Sequence, residues 1–358
     1  MTSLINFNTG KESFMSVFKN ESYPLLSELL RVEQFSDGKI HLHLEDEILE
    51  TSEDTTWLIK ESFPYFNGLH SISEVADKIN VESDSLISLV ETLSSKDLII
   101  DTREIRNSIH DGKAFQKAVQ KECNFWSKEI NSLPLMTIIL EGKASPHLLY
   151  GWGIEFTHYV DGANEYMPAG VTYCREDDDT REILSKQYCE EAYHGKIFLK
   201  GLVDCGFDRD QLLEAPPLAS TRALLNFLTE IATESTLAYT ICFALMQPEG
   251  EDLSKKGLED FYGDLSSKYP YAKKMFEAFK KHALLDVELG HQETLFEKLY
   301  KRKNCFSEED ALRAEFTIRT LTQHFKLFFR GIEEYYSNET PQIPRKKSRV
   351  ASFLSEGI

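Results

Sequence analysis

The sequence predicts a mainly α protein in which a small α+β domain precedes a larger helical bundle. Residues 1 to about 105 mix strand-like alternation with short helical segments, whereas from about residue 113 long helical segments are joined by short loops. The length of 358 residues is too great for one ordinary hydrophobic core. We therefore predict domains at residues 1–110 and 111–340, followed by a loose C-terminal tail at 341–358.

The amino-acid composition excludes some classes of binding partner. The formal net charge of −19 argues against nucleic acid or an anionic membrane, because both require a basic face. No secretory signal and no run of eighteen apolar residues is visible, and the six cysteines lack Cys-x-x-Cys spacing. These features predict a cytoplasmic protein with reduced thiols and leave a homodimer open.

The first domain is predicted from capping and turn signals. Ser71 with Glu74 three residues later is typical of a capping box, and Asn67-Gly68 before it indicates a turn. The pattern predicts a small winged-helix layout. The elements, in chain order, are a strand at Lys39–Leu44, a helix at Thr55–Phe66, helices capped by Ser71 and Ser83, and a strand at Leu98–Ile100.

The second domain is predicted to be helical throughout. Its segments show the helical period, and Ser, Asp and Pro stand where helices begin. The predicted helices are Phe115–Asn131, one opened by Ser145-Pro146 through Tyr159, Asp179–Gly206 with Asp179 in a capping box, one from Ser220 to before Pro248, Pro270–Arg302, and one capped by Ser307 that runs to Tyr336.

Four of these helical segments carry acids or histidines at one-turn spacing. Residues three or four apart share one helix face, so such pairs can point together into a bundle, where carboxylate-rich metal sites are assembled. An acid three residues before a histidine should arise about once or twice by chance, so context must decide. The candidates are Glu155/His158, Glu191/His194, Glu230/Glu234, and His282/Asp286 with Glu288/His291 close behind.

Glu191/His194 is the strongest pair, because its helix has apolar flanks that indicate burial. A buried carboxylate costs several kcal/mol unless it is paired or bound to a metal. The alternative is a surface ion pair. His282/Asp286 is favoured over Glu288/His291, which lies on another face of the helix unless the helix bulges.

The remaining acids stay open at this stage. Glu230 could replace Glu234 as the ligand, or both could face solvent. Glu155/His158 could complete the metal site, line a substrate pocket, or form a hydrogen-bonded core pair.

The helical half resembles the haem-oxygenase-like diiron oxidases, relatives of pyrroloquinoline-quinone synthase and thiaminase II. The resemblance spans about residues 115–335 and implies ligand positions at Glu191, His194, Glu234, His282 and Asp286. The matching stretches are Leu140–Ser145 leading to Glu155–Tyr159, Glu191–His194, Ala232–Ser235 and His282–Asp286.

One position departs from that family. Its usual His-x-x-x-Asp-x-x-His pattern ends here in Leu289, which removes an imidazole from a second iron. His291 or His158 could compensate. Alternatively, a single iron held by His194, His282 and one carboxylate would satisfy the two-histidine, one-carboxylate requirement.

Phe63–Ile100 resembles the peptide-chaperone domain of pyrroloquinoline-quinone biosynthesis, whose relatives bind leader peptides. DNA-binding winged helices share the pattern, but the acidic composition disfavours DNA. The resemblance implies that a leader peptide adds a strand to an exposed sheet edge. The alternative is a structural appendage.

Together these features lead to a functional hypothesis: an Fe(II)- and O2-dependent oxidase that modifies a ribosomally made precursor peptide held by residues 1–110. His194, Glu234 and His282 are the expected catalytic residues. Two other hypotheses stay open: a metal-free, thiaminase-like C–N hydrolase using Cys242, and a non-catalytic peptide-binding scaffold. The expected substrate-pocket residues are Tyr159, Tyr188, Tyr193 and Phe198.

Overall fold

The computed structural model divides the chain into two compact units, each described by itself below. Unit 1 is residues 1–129 with 303–312, and unit 2 is residues 130–302 with 313–358. The predicted domain boundaries stay a prediction, and the predicted tail lies outside the described residues. The structure describes residues 18–34, 40–44, 47–246, 254–289 and 293–337.

Unit 1 combines two small antiparallel sheets with short helices. One sheet pairs β1 with β5, and the other has the order β2-β3-β4, so that β2 and β4 are its edge strands. The strands are β1 Pro24–Leu26, β2 Arg31–Gln34, β3 Ile40–Leu44, β4 Glu47–Glu50 and β5 Ile99–Asp101. The helices are α1 Glu53–Ser62, α2 Ile72–Ile79, α3 Ser83–Ser94, α4 Glu104–Asn107 and α5 Gly112–Asn131.

Capping in unit 1 agrees with the sequence at one helix and not at the next. The capping box of Ser71 and Glu74 is confirmed, because each side chain bonds the other residue's backbone N–H. Ser83, in contrast, is the first residue inside α3, and Glu82 occupies the cap position without a side-chain hydrogen bond. Helix α3 therefore depends on its buried stripe of Leu86, Leu89, Val90 and Leu93.

The described residues of unit 2 form helices and no strand, which confirms the mainly α class with a small α+β region. Within the described ranges, no helix is long and apolar enough to cross a membrane. The helices are α6 Pro134–Leu140, α7 Pro146–Asp161, α8 Ala163–Tyr173, α9 Asp178–Glu191, α10 His194–Asp204, α11 Arg209–Glu214, α12 Ala219–Glu234, α13 Thr236–Met246, α14 Lys255–Lys268, α15 Lys273–Leu289, α16 Leu295–Tyr300 and α17 Glu308–Tyr336.

Three helices predicted as continuous are interrupted. The predicted helix 179–206 breaks into α9 and α10, and the helix from Ser220 breaks at Ser235, whose backbone is extended at φ −154° and ψ 121°. The predicted helix 270–302 contains a short 3-10 turn, α15 and α16. Hydrophobic periodicity continues across the one- or two-residue breaks at 192–193 and 235, so the period alone does not locate those two.

The caps of the long helices also need one correction. Asp177, not Asp179, caps α9, because its side chain accepts the Thr180 N–H at 2.7 Å. Ser145 and Ser307 cap as predicted, accepting N–H bonds from Leu148 at 3.2 Å and Asp310 at 3.0 Å.

His324 on α17 gives unit 2 a pH-dependent contribution to stability. Its ring stacks on Phe227 with centroids 4.7 Å apart. Burial lowers the pKa of His324, against the smaller opposing effect of Glu230. The unfolded chain therefore binds this proton more tightly, so stability is lost as pH falls from the unfolded pKa of about 6.5 towards the lower folded pKa.

We expect the wild-type Tm to fall more than that of His324→Phe between about pH 7.5 and about pH 5.5. Phenylalanine keeps the ring stacking and removes the titrating group. Differential scanning calorimetry at both pH values measures the two slopes. Equal slopes in the two proteins would contradict this assignment.

Candidate metal centre

Two histidines and two carboxylates meet in unit 2. One ligand atom from each of Glu191, His194, His282 and Asp286 lies within 4.8 Å of the other three. Oxygen and imidazole donors in this combination are a ligand set that binds a divalent transition metal. Four of the five ligand positions implied by the resemblance are thus brought together.

The break between α9 and α10 places the first pair. Helix α9 ends at Glu191, and His194 is the first residue of α10. The turn between them is closed by the Ala192 N–H, which donates to the Tyr188 carbonyl at 2.9 Å, and by the Lys196 N–H, which donates to Tyr193 at 3.1 Å. The prediction that Glu191 and His194 share one helix face is therefore wrong. They face each other across a helix–helix corner, with 2.6 Å between Glu191 Oε2 and His194 Nδ1.

The second pair comes from one face of α15. His282 Nδ1 lies 3.0 Å from an Asp286 oxygen, as expected for residues one turn apart. The other Asp286 oxygen lies 3.9 Å from His194 Nδ1, so Asp286 approaches both imidazoles. The two imidazole rings are 4.5 Å apart, edge to face.

Burial within the group is graded. The side chain of His194 is 5% exposed and that of Glu191 15%, whereas those of His282 and Asp286 are 19% and 28% exposed. Among the described residues, His282 Nε2 has no hydrogen-bond partner although the atom is buried. A buried nitrogen without a partner is costly, and a metal ion would remove that cost, so the residues present fit a metal.

The predicted pocket residues divide. Phe198 adjoins the group, with its ring 4.9 Å from that of His282. Tyr159 lies further away, packed on Phe156; burial raises its pKa, and the negative charge of Glu191 raises it further.

Tyr188 and Tyr193 are the other two tyrosines predicted to line the pocket. Tyr188 is half-buried. Tyr193 is 64% exposed with Lys196 over its ring, which corrects its assignment to the pocket, because the corner after α9 turns it towards solvent.

Glu234 and Glu230 require a correction to the predicted ligand set. Both are exposed, and Glu234 lies 3.5 Å from Arg313. The physical reason is the orientation of α12, which buries the opposite stripe, including Leu228 and Ala232. Neither acid belongs to the group of four.

Glu155 and His158 also lie outside the group. Glu155 is fully buried, and its carboxylate accepts hydrogen bonds from Leu218 N–H at 2.9 Å, Thr221 Oγ1 at 2.6 Å and Tyr336 OH at 3.1 Å. It is therefore a hydrogen-bonded core acid, whereas the alternative that the sequence left open was a core pair of Glu155 with His158. His158 lines a separate surface pocket of about 420 Å³ with Arg222. His291 lies outside the described residues.

Sequence reasoning missed the aromatic residues behind the imidazoles. Phe279 lies 4.7 Å from Phe198 and 4.8 Å from Trp152, and Phe156 lies 5.5 Å from Phe198, measured between ring centroids. Phe279 stands three residues before His282 and so faces the same side of α15, a spacing that could have identified it.

The fold is similar to solved structures, whereas no protein-family model and no curated protein matches the chain. A domain with a haem oxygenase-like fold from Shewanella denitrificans has a TM-score of 0.50 and 20% identity, covering 65% of this chain and 98% of that chain. A TenA homologue from Pseudomonas syringae pv. tomato has a TM-score of 0.47 and 15% identity, covering 66% and 97%. The first of these two similarities confirms the predicted haem-oxygenase-like fold, while iron, O2 and leader recognition stay predictions.

We expect His282→Ala and Asp286→Asn each to weaken Fe(II) binding by at least about 10-fold, because the first removes a nitrogen donor and the second replaces a charged carboxylate oxygen with a neutral amide oxygen. Glu234→Gln is the matched control and should bind as wild type does. Anaerobic titration with Fe(II), followed by metal analysis after desalting, measures both. Loss of iron in the Glu234 variant with retention in the His282 variant would contradict the ligand set.

Proposed function

We propose that the protein is a non-haem iron oxidase that uses O2. The observation that carries the proposal is the group of Glu191, His194, His282 and Asp286, in which the buried Nε2 of His282 has no partner among the described residues. The two-histidine, one-carboxylate set with open positions is typical of Fe(II) enzymes that activate O2.

The carboxylates of the group orient the imidazoles. Asp286 lies at the Nδ1 side of His282 and Glu191 at the Nδ1 side of His194. The same four side chains converge within the reach of one ion, which supports His194 and His282 as the nitrogen ligands and Glu191 and Asp286 as the oxygen ligands.

Fe(II) held in this way would supply electrons to O2 and so permit oxidation of unactivated C–H or C–C bonds. The aromatic side chains of Phe198 and Phe279 exclude water on the bundle side of His282. A dry wall of this kind strengthens the electrostatic interactions of the site. One ion accounts for the group of four, since Leu289, at the position of the expected additional histidine, is 42% exposed and supplies no donor.

We further propose a ribosomally made precursor peptide as the substrate, with its leader held by unit 1. All residues of β2 are exposed, including Val32 at 47%, and β2 is an edge of its sheet. An open strand edge offers backbone hydrogen bonds to an extended peptide. Holding the leader would raise the effective concentration of the remainder of the peptide at the iron.

A metal-free hydrolase using Cys242 has weaker support. Cys242 is buried and its thiol donates to the Ala238 carbonyl at 3.4 Å. Burial raises the pKa of this thiol, which disfavours the nucleophilic thiolate. The non-catalytic scaffold also has weaker support, because a degenerated centre has no reason to keep four converging donors.

We expect His194→Ala to abolish O2-dependent oxidation of bound Fe(II), because it removes one of the two imidazoles. His158→Ala is the matched control, since His158 lies outside the group. Stopped-flow absorbance of anaerobically loaded protein mixed with O2 gives the rate. Iron oxidation in the His194 variant at the wild-type rate would refute the proposal.

We expect Val32→Pro to weaken binding of the leader about 10-fold, because proline removes a backbone N–H and restricts φ at the strand edge. The probe is a fluorescently labelled synthetic peptide encoded by a short reading frame beside the gene, and anisotropy gives its affinity. The control is Lys60→Ala on α1, which leaves the strand edge unchanged. A second proline variant such as Ser88→Pro is unsuitable as the control, because it would break α3. Equal affinities in wild type and Val32→Pro would exclude this edge.

A further inference from the structure

We propose that the close contact between Gly201 and Ala278 sets the separation of the two imidazoles and thereby the affinity of the centre for metal. Both are positioning residues, because they act through the helices that carry His194 and His282. The inference rests on the proposed metal centre and adds a determinant that lies outside its ligands.

The contact brings α10 against α15 with no room for a side chain at residue 201. A Cβ atom built on Gly201 would lie 2.6 Å from the Cβ of Ala278. It would also lie 3.3 Å from the Lys274 carbonyl oxygen and 3.3 Å from Met275 Cα. These neighbours are backbone atoms or a rigid methyl, so they cannot move aside without moving the helix.

Helical geometry places this contact and the imidazoles along one seam. Gly201 follows His194 by seven residues, or about two turns, which leaves the two within about 20° on α10. Ala278 precedes His282 by four residues, about one turn, on α15. Since the order is reversed on the second helix, α10 and α15 run antiparallel along the seam.

Phe198 connects the two ends of the seam mechanically. It lies between His194 and Gly201 on α10, and its ring is 4.7 Å from Phe279 and 4.9 Å from His282. Because Phe198 is 1% exposed and tightly packed, a displacement at Gly201 is transmitted to His282 and not absorbed by a void.

The expected effect of a methyl group at residue 201 follows from distances. To reach ordinary van der Waals contact the helices must separate by about 1 Å. Metal–ligand distances tolerate only about 0.2 Å. We therefore expect Gly201→Ala to weaken Co(II) binding by about 10-fold or more, a loss of the size seen when groups supporting the ligands are altered.

Three further variants separate positioning from general stability. Gly263→Ala, on α14, is the matched control, because no atom lies within 4 Å of its added Cβ, and it should bind Co(II) as wild type does. Ala278→Gly should lower the Tm, since glycine is a poor helix former, while Co(II) affinity falls by less than in Gly201→Ala, because loosening the contact does not force the helices apart. Adding Ala278→Gly to Gly201→Ala should recover affinity in part, since it removes the 2.6 Å contact and leaves the two at 3.3 Å.

The measurements are Co(II) titration followed by its visible absorption, calorimetric Tm, and crystal structures of metal-free wild type and Gly201→Ala. The proposal requires the separation of the His194 and His282 rings, 4.5 Å here, to widen in Gly201→Ala. It is overturned if that separation and the Co(II) affinity are unchanged, or if affinity falls in step with Tm across all four variants. A wild type that binds Co(II) but does not oxidise bound Fe(II) with O2 refutes the oxidase function alone. A wild type that does not bind Co(II) refutes both the metal centre and the effect of this contact on metal affinity.

Discussion

Removal of imidazoles and carboxylates from bulk water is the physical constraint on which the structure of unit 2 depends. Each ionisable group taken into the bundle needs a partner, since an isolated buried charge costs several kcal/mol. Glu191 and Asp286 meet that need by lying 2.6 Å from His194 and 3.0 Å from His282. His282 Nε2 is a buried nitrogen of the group that has no hydrogen-bond partner among the described residues, and an ion at that nitrogen would remove the cost of its burial.

The centre is assembled from a helix corner and a helix face. Residues one turn apart on a single helix point in similar directions, so two such pairs provide four donors without a loop. Here only His282 and Asp286 follow that rule. Glu191 and His194 lie on successive helices, and the corner between them directs the imidazole and the carboxylate towards each other while Tyr193 is turned outwards.

The sequence was sufficient for the class of fold and for much of the donor set. Apolar periodicity and capping residues such as Ser145 predict where helices lie, because both act over a few residues. Spacing also identified His282 with Asp286. It could not assign Glu234, because one-turn spacing says that two acids share a face but not whether that face meets the core. The corner at 192–193 was missed for a similar reason, since neither Ala192 nor Tyr193 is a helix-breaking residue.

Two acids of the same half show why burial alone does not identify a ligand. Glu155 is more deeply buried than Glu191, yet its carboxylate accepts three hydrogen bonds from Leu218, Thr221 and Tyr336. Those donors serve a structural role that holds α7 to α12 and α17. Glu191 instead faces an imidazole at the end of its helix. The chemistry of the neighbours, donors in one case and further groups able to bind a metal in the other, therefore distinguishes a core acid from a candidate ligand. By the same criterion Leu289 removes a donor that a second ion would need, while the two imidazoles and two carboxylates that remain are enough for one.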